Sequence, residues 1–473
     1  MQGRKEKGRK AYKKAKRRAR NQETITTKGP TLKIGIDVAK RRHSAALFDP
    51  EMRQIGHILA VKNTRKDAER LLAKALEISE RVGLSPLWGM EATGNYHLPL
   101  LHFLVEHGQS VVVFNPYQVK KYKDVCLAQT DTDPHSAVIL CDMLDEVCRR
   151  KRIRLKAREV REINPDLEQA KHMARYRFSL ARSVRDRKRQ TVSIVDCIFP
   201  EFEQVFGKGY LSKKTARMVL GRYPDPATLA KLEEEKVDEL VMDARRTSKG
   251  RYGDDAVKTL IRLARDSFGV RCTGIVGPAC RQIRFLLWEM EFVEAHIQAW
   301  DEEIARVMED FPYYREVGQL GCVTPTMMAA FVGEIGVVDS FTDPDQIVSF
   351  AGWDVREARS GDTREKRRRL NKRGRTELRD ASYWLAGVSI MHEGKDSEYY
   401  ARKRREGRTH KEALIALARN KLKQIFTAMK NSRYKPQTEA RTATIAESGT
   451  GTDQDQEEAS QAPVRVTPPG LPG

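Results

Sequence analysis

The stretch from Thr31 to Asp49, TLKIGIDVAKRRHSAALFD, constrains the fold more than any other part of the chain. Leu32, Ile34 and Ile36 alternate with Lys33 and Gly35, the period of two that marks a strand with one buried face. The strand runs into Asp37, and apolar residues resume at Ala45, Ala46, Leu47 and Phe48, so a hairpin is expected. Its first arm delivers a carboxylate to the end of a sheet. A carboxylate there is costly unless a cation or a metal pairs with it. The plain alternative is an aspartate that closes a turn, and acidic positions further along the chain bear on that choice.

Beyond this stretch, length and charge narrow the class. A chain of 473 residues suggests two or three domains. The net charge of +22 points to a polyanionic partner, most simply nucleic acid, because neutralising phosphates releases counterions. The seven cysteines are scattered and include no CxxC, which supports neither a zinc knuckle nor a disulfide framework and fits a reducing compartment. The N-terminus has no apolar signal-like segment and no stretch is long enough to span a bilayer. A cytoplasmic, nucleoid-associated protein with no membrane partner is therefore expected.

Residues 1–30 form a basic arm, with twelve Lys or Arg against Glu6 and Glu23, and such blocks are usually disordered. Residues 31–150 read as α/β. After the hairpin comes a third strand near Gln54–Val61, then an amphipathic helix over Arg65–Val82. A buried strand, Pro86-Leu-Trp-Gly-Met, ends on Glu91. A helix from Tyr96 to His107 leads to the strand Ser110-Val-Val-Val-Phe. After a loop, Asp133 as N-cap and Pro134 at N1 open another helix. Three early strands followed by strand–helix alternation is the order of an RNase H-like (RuvC-like) domain. Residues 151–310 read as a helical linker. Within it Ile283, Leu286, Met290, Val293, Ile297, Trp300, Ile304 and Val307 step alternately by three and four, a heptad seam that predicts a coiled coil between subunits. Residues 311–435 read as a helical C-terminal domain with a helix-hairpin-helix at Gly318–Ile335, a device that sets helix N-termini against phosphates. Its segment Arg364 to Arg379 holds nine basic residues, of which Arg364, Arg367, Arg368, Arg369, Lys372, Arg373 and Arg375 are the candidate nucleic-acid contacts. Residues 436–473 read as a disordered tail.

Three acidic positions converge in such a fold. Asp37 ends the first strand, Glu91 ends a later one, and Asp133 stands before a helix. Clustered carboxylates repel unless divalent cations bridge them, and hard oxygen ligands suit Mg²⁺. The motifs GIDVAK, MEATGNY and TDPHSA, followed by FAGW, a Ser-Gly and a basic Asn-Lys-Arg-Gly segment, resemble the DEDD transposase family of insertion sequences, which includes bridge-RNA-guided DNA recombinases. The resemblance spans about residues 31–430. It implies that Asp37, Glu91 and Asp133 are catalytic metal ligands for Mg²⁺. It also implies that Ser360 is a nucleophile forming a phosphoserine link, and that the partners are DNA (element ends and target), a structured non-coding guide RNA and further copies of the chain, as a dimer or tetramer. The family pattern has a second aspartate where this chain has Ser136, a weaker ligand. Asp131 is the best-placed substitute, and Ser136→Asp is expected to tighten metal binding. Two other readings share these residues: a metal-dependent, structure-selective nuclease without a covalent step, and a non-catalytic nucleic-acid-binding protein.

Overall fold

The computed structural model describes residues 30–92, 94–126, 133–149, 157–249, 251–252, 254–311, 313–358, 367–370 and 374–432. They divide into two compact units, one comprising Met1–Glu168 with Val337–Ile347, the other Gln169–Gly336 with Val348–Tyr434.

The first unit is a six-stranded mixed sheet covered on both faces. Its strands are β1 (Thr31–Asp37), β2 (Arg42–Phe48), β3 (Leu59–Lys62), β4 (Ser85–Glu91), β5 (Val111–Phe114) and β6 (Ala157–Val160), in the order β3-β2-β1-β4-β5-β6. β1, β4 and β5 run parallel, while β2, β3 and β6 are antiparallel to their neighbours. One face is covered by α1 (Arg65–Val82) and α2 (Leu98–Glu106), whose Leu71, Leu72, Leu100 and Leu104 close over Leu32, Ile34 and Ile36. α1 begins where the Thr64 hydroxyl accepts from the Asp67 N–H and ends at Gly83 in the left-handed region. The other face carries α3 (Pro116–Val125) and α4 (Asp133–Arg149), with Leu87, Val112, Ile139, Leu140 and Leu144 packed between them and the sheet. This architecture is compatible with an RNase H-like α/β domain.

Three expectations change. β1 is buried on both faces, because it lies in the middle of the sheet; Lys33, read as its solvent side, is 2% exposed. The third strand begins only at Leu59, and Gln54 makes an isolated bridge to Phe48. The sheet also continues past residue 150 into β6, within the span read as a helical linker.

The second unit is helical, apart from one small hairpin. α5 (Pro165–Ile198) leads into it, followed by α6 (Phe202–Phe206), α7 (Lys214–Arg222), α8 (Pro226–Ala230), α9 (Glu234–Ser248) and α10 (Asp254–Arg265). They gather around Phe199, Phe202, Phe206 and Tyr210. α11 (Thr273–Glu309) lies antiparallel to α5: Trp300 Nε1 donates to Met173 O at 3.0 Å, Arg177 grips Asp301 at 3.0 Å, and further along Arg187 meets Glu289 at 2.9 Å. The heptad residues Ile283, Leu286, Met290 and Ile304 are buried, with Val293 and Ile297 packed against the same core. The chain's own helices bury these four positions, while Val293, Ile297, Trp300 and Val307 stay partly exposed along α11.

α12 (Tyr314–Gly318), a turn with Gly321 and Cys322 at positive φ, and α13 (Pro325–Ile335) follow. Every α13 residue from Thr326 to Ile335 is buried. Beyond α14 (Pro344–Phe350) come β7 (Val355–Ala358) and β8 (Arg367–Leu370), paired antiparallel, then α15 (Thr376–Ser389), α16 (Lys395–Arg405) and α17 (His410–Asn431).

Candidate active site

The carboxyl ends of β1 and β4 define the candidate site. The two strands are parallel and in register, Gly35 opposite Gly89 and Ile36 opposite Met90. Asp37 and Glu91 are the next residues on each, so they stand side by side on one face of the sheet. That face is the one under α4, because Gly35 and Gly89, two residues before them, both lie against this helix. Asp37 and Glu91 are half-buried, and each has interactions with its surroundings.

α4 runs antiparallel to β1 and is fixed at three levels. Near its far end the buried Lys33 ammonium meets Asp145 at 3.1 Å, with Arg149 adding a second bond to Asp145 at 2.7 Å. In the middle the Gly35 N–H donates to Cys141 Sγ at 3.0 Å. Here a Cβ on Gly35 would collide with the Ala137 carbonyl oxygen and stand 2.8 Å from Cys141 Sγ. Only a glycine lets helix and strand approach so closely. One turn before Ala137 the helix begins, at Asp133. The start of α4 therefore lies over the strand ends that carry Asp37 and Glu91.

Ser136 lies in this first turn and is 6% exposed. Its hydroxyl accepts from Lys123 Nζ at 2.8 Å. Lys123 comes from α3, which starts beside the same sheet edge: Asn115 caps it by accepting from the Tyr117 N–H, directly after β5. Sequence reasoning missed both this helix and Lys123. The signal was present, since Asn115-Pro116 is the same cap-and-proline signature that located α4. Burial pushes the Cys141 thiol up to about 12, with the Gly35 N–H opposing, so this cysteine remains a protonated packing group.

Carboxylate oxygens at one sheet edge are hard donors and suit a divalent cation such as Mg²⁺. Among the described residues no three His, Cys, Asp or Glu side chains stand close enough to hold a metal; the Asp133 side chain and all of Asp131 lie outside them. At the Ser136 position the neighbour is an ammonium group, so the donor set fits a cation at Asp37 and Glu91 better than a second one at Ser136.

In the second unit the FAGW turn and the segment leading into α15 are held together by a clamp. The Arg375 N–H donates to Phe350 O at 2.9 Å, Trp353 Nε1 donates to Ser382 Oγ at 2.8 Å, and Arg379 reaches Ala351 O at 3.2 Å. Gly374 fits against Phe350, Ala351 and Gly352 so tightly that a Cβ would clash with their backbone. The FAGW turn and the start of α15 thus hold the base of the β7–β8 hairpin. Ser360 comes between these strands in the sequence and lies outside the described residues, as do Arg364, Lys372 and Arg373. The backbone of Arg367, Arg368 and Arg369 forms β8. Among the candidate nucleic-acid contacts, Arg375 has a described side chain, which is 38% exposed. Its guanidinium lies over the Phe350 ring at 5.5 Å and 3.8 Å from the buried Glu334, which Arg175 also grips at 2.5 Å.

Residues 34–200 match a transposase family of the DEDD, IS110 type, and residues 316–401 match the transposase IS116/IS110/IS902 family. Together these matches cover more than half of the chain, and it belongs to the IS110 family of insertion-sequence transposases. A 44.8 kDa protein of the insertion element IS116 from Streptomyces clavuligerus is 24% identical over 420 residues, covering 86% of this chain and 97% of the relative. A 43.6 kDa protein of the insertion element IS110 from Streptomyces coelicolor is 22% identical over 402 residues, covering 85% and 94%. Membership in this family implies DNA binding and DNA phosphoryl transfer. No helix among the described residues is long and apolar enough to cross a membrane.

Proposed function

We propose that this transposase cuts and rejoins DNA through a covalent Ser360–DNA intermediate, with a carboxylate-held divalent cation at the edge of the β1–β4 pair. The observation that carries the reading is the register of β1 and β4, which sets Asp37 beside Glu91 under the start of α4. Asp37, Glu91 and Asp133 are the proposed ligands; Asp131 is the proposed replacement for the acidic position that Ser136 vacates. A bound Mg²⁺ supplies Lewis-acid stabilisation of charge on the phosphoryl oxygens.

The chain's own residues do the rest. The Ser360 hydroxyl gives up its proton and its oxygen attacks phosphorus. One phosphodiester bond breaks, a new Ser–O–P ester forms, and the departing deoxyribose oxygen takes a proton. Because one ester replaces another, a hydroxyl from a second DNA end reverses the step and rejoins the strands without an external energy source. Arg367, Arg368 and Arg369 on β8, next to Ser360 in the sequence, serve as contacts to the DNA backbone. A structured guide RNA and further copies of the chain are the remaining proposed partners, with the net charge of +22 as support for a large polyanionic load.

The test is a denaturing gel of protein incubated with labelled element-end DNA, Mg²⁺ and the RNA transcribed beside the gene. Wild type should leave a protein-linked DNA band, and Ser360→Ala should leave none. An undiminished band with Ser360→Ala would assign the nucleophile to another residue.

A further inference from the structure

Phe268 is the most exposed aromatic side chain among the described residues, at 93%, and the next, Phe285, stands at 47%. It lies in the turn between α10 and α11, within the second unit. An exposed phenylalanine adds nothing to the core, and at a loose loop tip it would call for no explanation. This one is not loose. The Glu201 carboxylate accepts from the Phe268 N–H at 2.9 Å and from the Ser267 hydroxyl at 2.7 Å. Ser267 is buried, and its oxygen also accepts from the Gly269 N–H at 3.2 Å. Gly269 is pressed against the end of α5, where a Cβ would stand 1.9 Å from the Ile198 carbonyl oxygen. The Val270 N–H then donates to Cys197 O at 3.0 Å. Burial pushes the Glu201 carboxyl up, but the bonds from Phe268 N–H and Ser267 outweigh it and hold the group below the usual carboxylate range. The anchor is therefore ionised at neutral pH.

The backbone on both sides of Phe268 is thus tied down while the ring is left in solvent, and the surroundings indicate what the ring meets. From Arg262 to Cys272 the chain carries Arg262, Arg265 and Arg271 against the single acid Asp266. Arg262 and Arg265 belong to the last turn of α10, and Arg271 lies against the turn itself, donating to Ser267 O at 3.1 Å. All three are exposed. A fixed aromatic bracketed by cations matches a nucleic-acid surface better than an apolar protein one, because arginines take phosphates and the ring takes the face of a base. The fixed backbone matters most for a duplex. Opening a base step costs free energy, and a loop able to fold back would yield instead of entering.

We propose that Phe268 is a wedge that enters between neighbouring base pairs of duplex DNA, with Arg265 and Arg271 on the flanking phosphates. The proposal rests on the family's DNA binding and goes beyond the catalytic reading; it needs neither Ser360 nor a bound metal.

The experiment uses the full chain in chelator and measures its affinity for two labelled duplexes of one sequence, the first fully paired and the second with a central C·C mismatch. Mismatched bases cost less to unstack, so a wedge favours them. Wild type should bind the mismatched duplex about tenfold more tightly than the paired one. Phe268→Ser should bind both alike, and Phe268→Trp should keep the preference. An unchanged melting temperature shows that these variants of an exposed residue remain folded. Equal binding of the two duplexes by wild type, or a preference that survives in Phe268→Ser, overturns the wedge. A change in the sedimentation of the DNA-free protein in Phe268→Ser also overturns it, because the ring would then belong to a contact between copies of the chain. Binding is read without cleavage, so a failure here is distinct from a failure of the covalent mechanism.

Discussion

At the scale of single residues, the site depends on what stands one layer behind the carboxylates. Gly35 is the clearest case. Gly35→Ala should drive α4 off β1 and lower stability by about 1–3 kcal/mol or more, read as a shift in the denaturant midpoint. An unchanged midpoint would mean that the helix yields without cost and does not fix the site. Ser136 is the second case. From the sequence, Ser136→Asp should tighten metal binding. The structure alters that expectation, because an added carboxylate would meet Lys123, now 2.8 Å from the Ser136 hydroxyl, before it met a metal. Ser136→Asp alone should leave Mn²⁺ affinity little changed, and Ser136→Asp with Lys123→Met should raise it. Equal affinities in the single and double variants would remove Lys123 from the account. Asp37 and Glu91 were legible in the sequence because strand periodicity fixes where a strand ends. Lys123 was not, because its role depends on α3 crossing to α4, a contact that no local pattern encodes.

At the scale of elements, the sequence revealed which faces are buried but not what buries them. β1 reads as a half-exposed strand because Lys33 interrupts its apolar run, yet the structure seats Lys33 inside, against Asp145 and the carbonyls of Asp49 and Pro50. Removing one member of such a pair leaves the other charge buried. Lys33→Met should therefore cost about 3 kcal/mol, at the low end for buried pairs because Arg149 still reaches Asp145. A melting temperature equal to wild type would show that the pair does not hold α4. The same lesson applies to α11. Its heptad period correctly marks Ile283, Met290 and Ile304 as buried, and Ile283 and Met290 belong to the chain's own helical core. Met290→Ala should destabilise the second unit by about 2–5 kcal/mol while leaving the sedimentation behaviour of the folded protein unchanged. Dissociation into smaller species without loss of stability would return the seam to a subunit interface.

At the scale of the whole molecule, charge and chemistry are divided along the chain. The carboxylates belong to the α/β unit, and the basic run that follows FAGW belongs to the helical one. Neutralising Arg367, Arg368 and Arg369 together should weaken binding to unrelated duplexes alike and flatten the salt dependence by about 0.9 in log–log slope per lost contact; an unchanged slope would make these arginines a solvated face. The proposed nucleophile in the second unit was legible only through resemblance, since Ser360 in a Ser-Gly pair looks like any turn residue. The central claim concerns Asp37, and Mg²⁺-dependent strand cleavage by Asp37→Ala tests it most directly, with circular dichroism and DNA binding as controls for folding. The account predicts that cleavage falls to background while fold and DNA binding persist. Cleavage at the wild-type rate would contradict it.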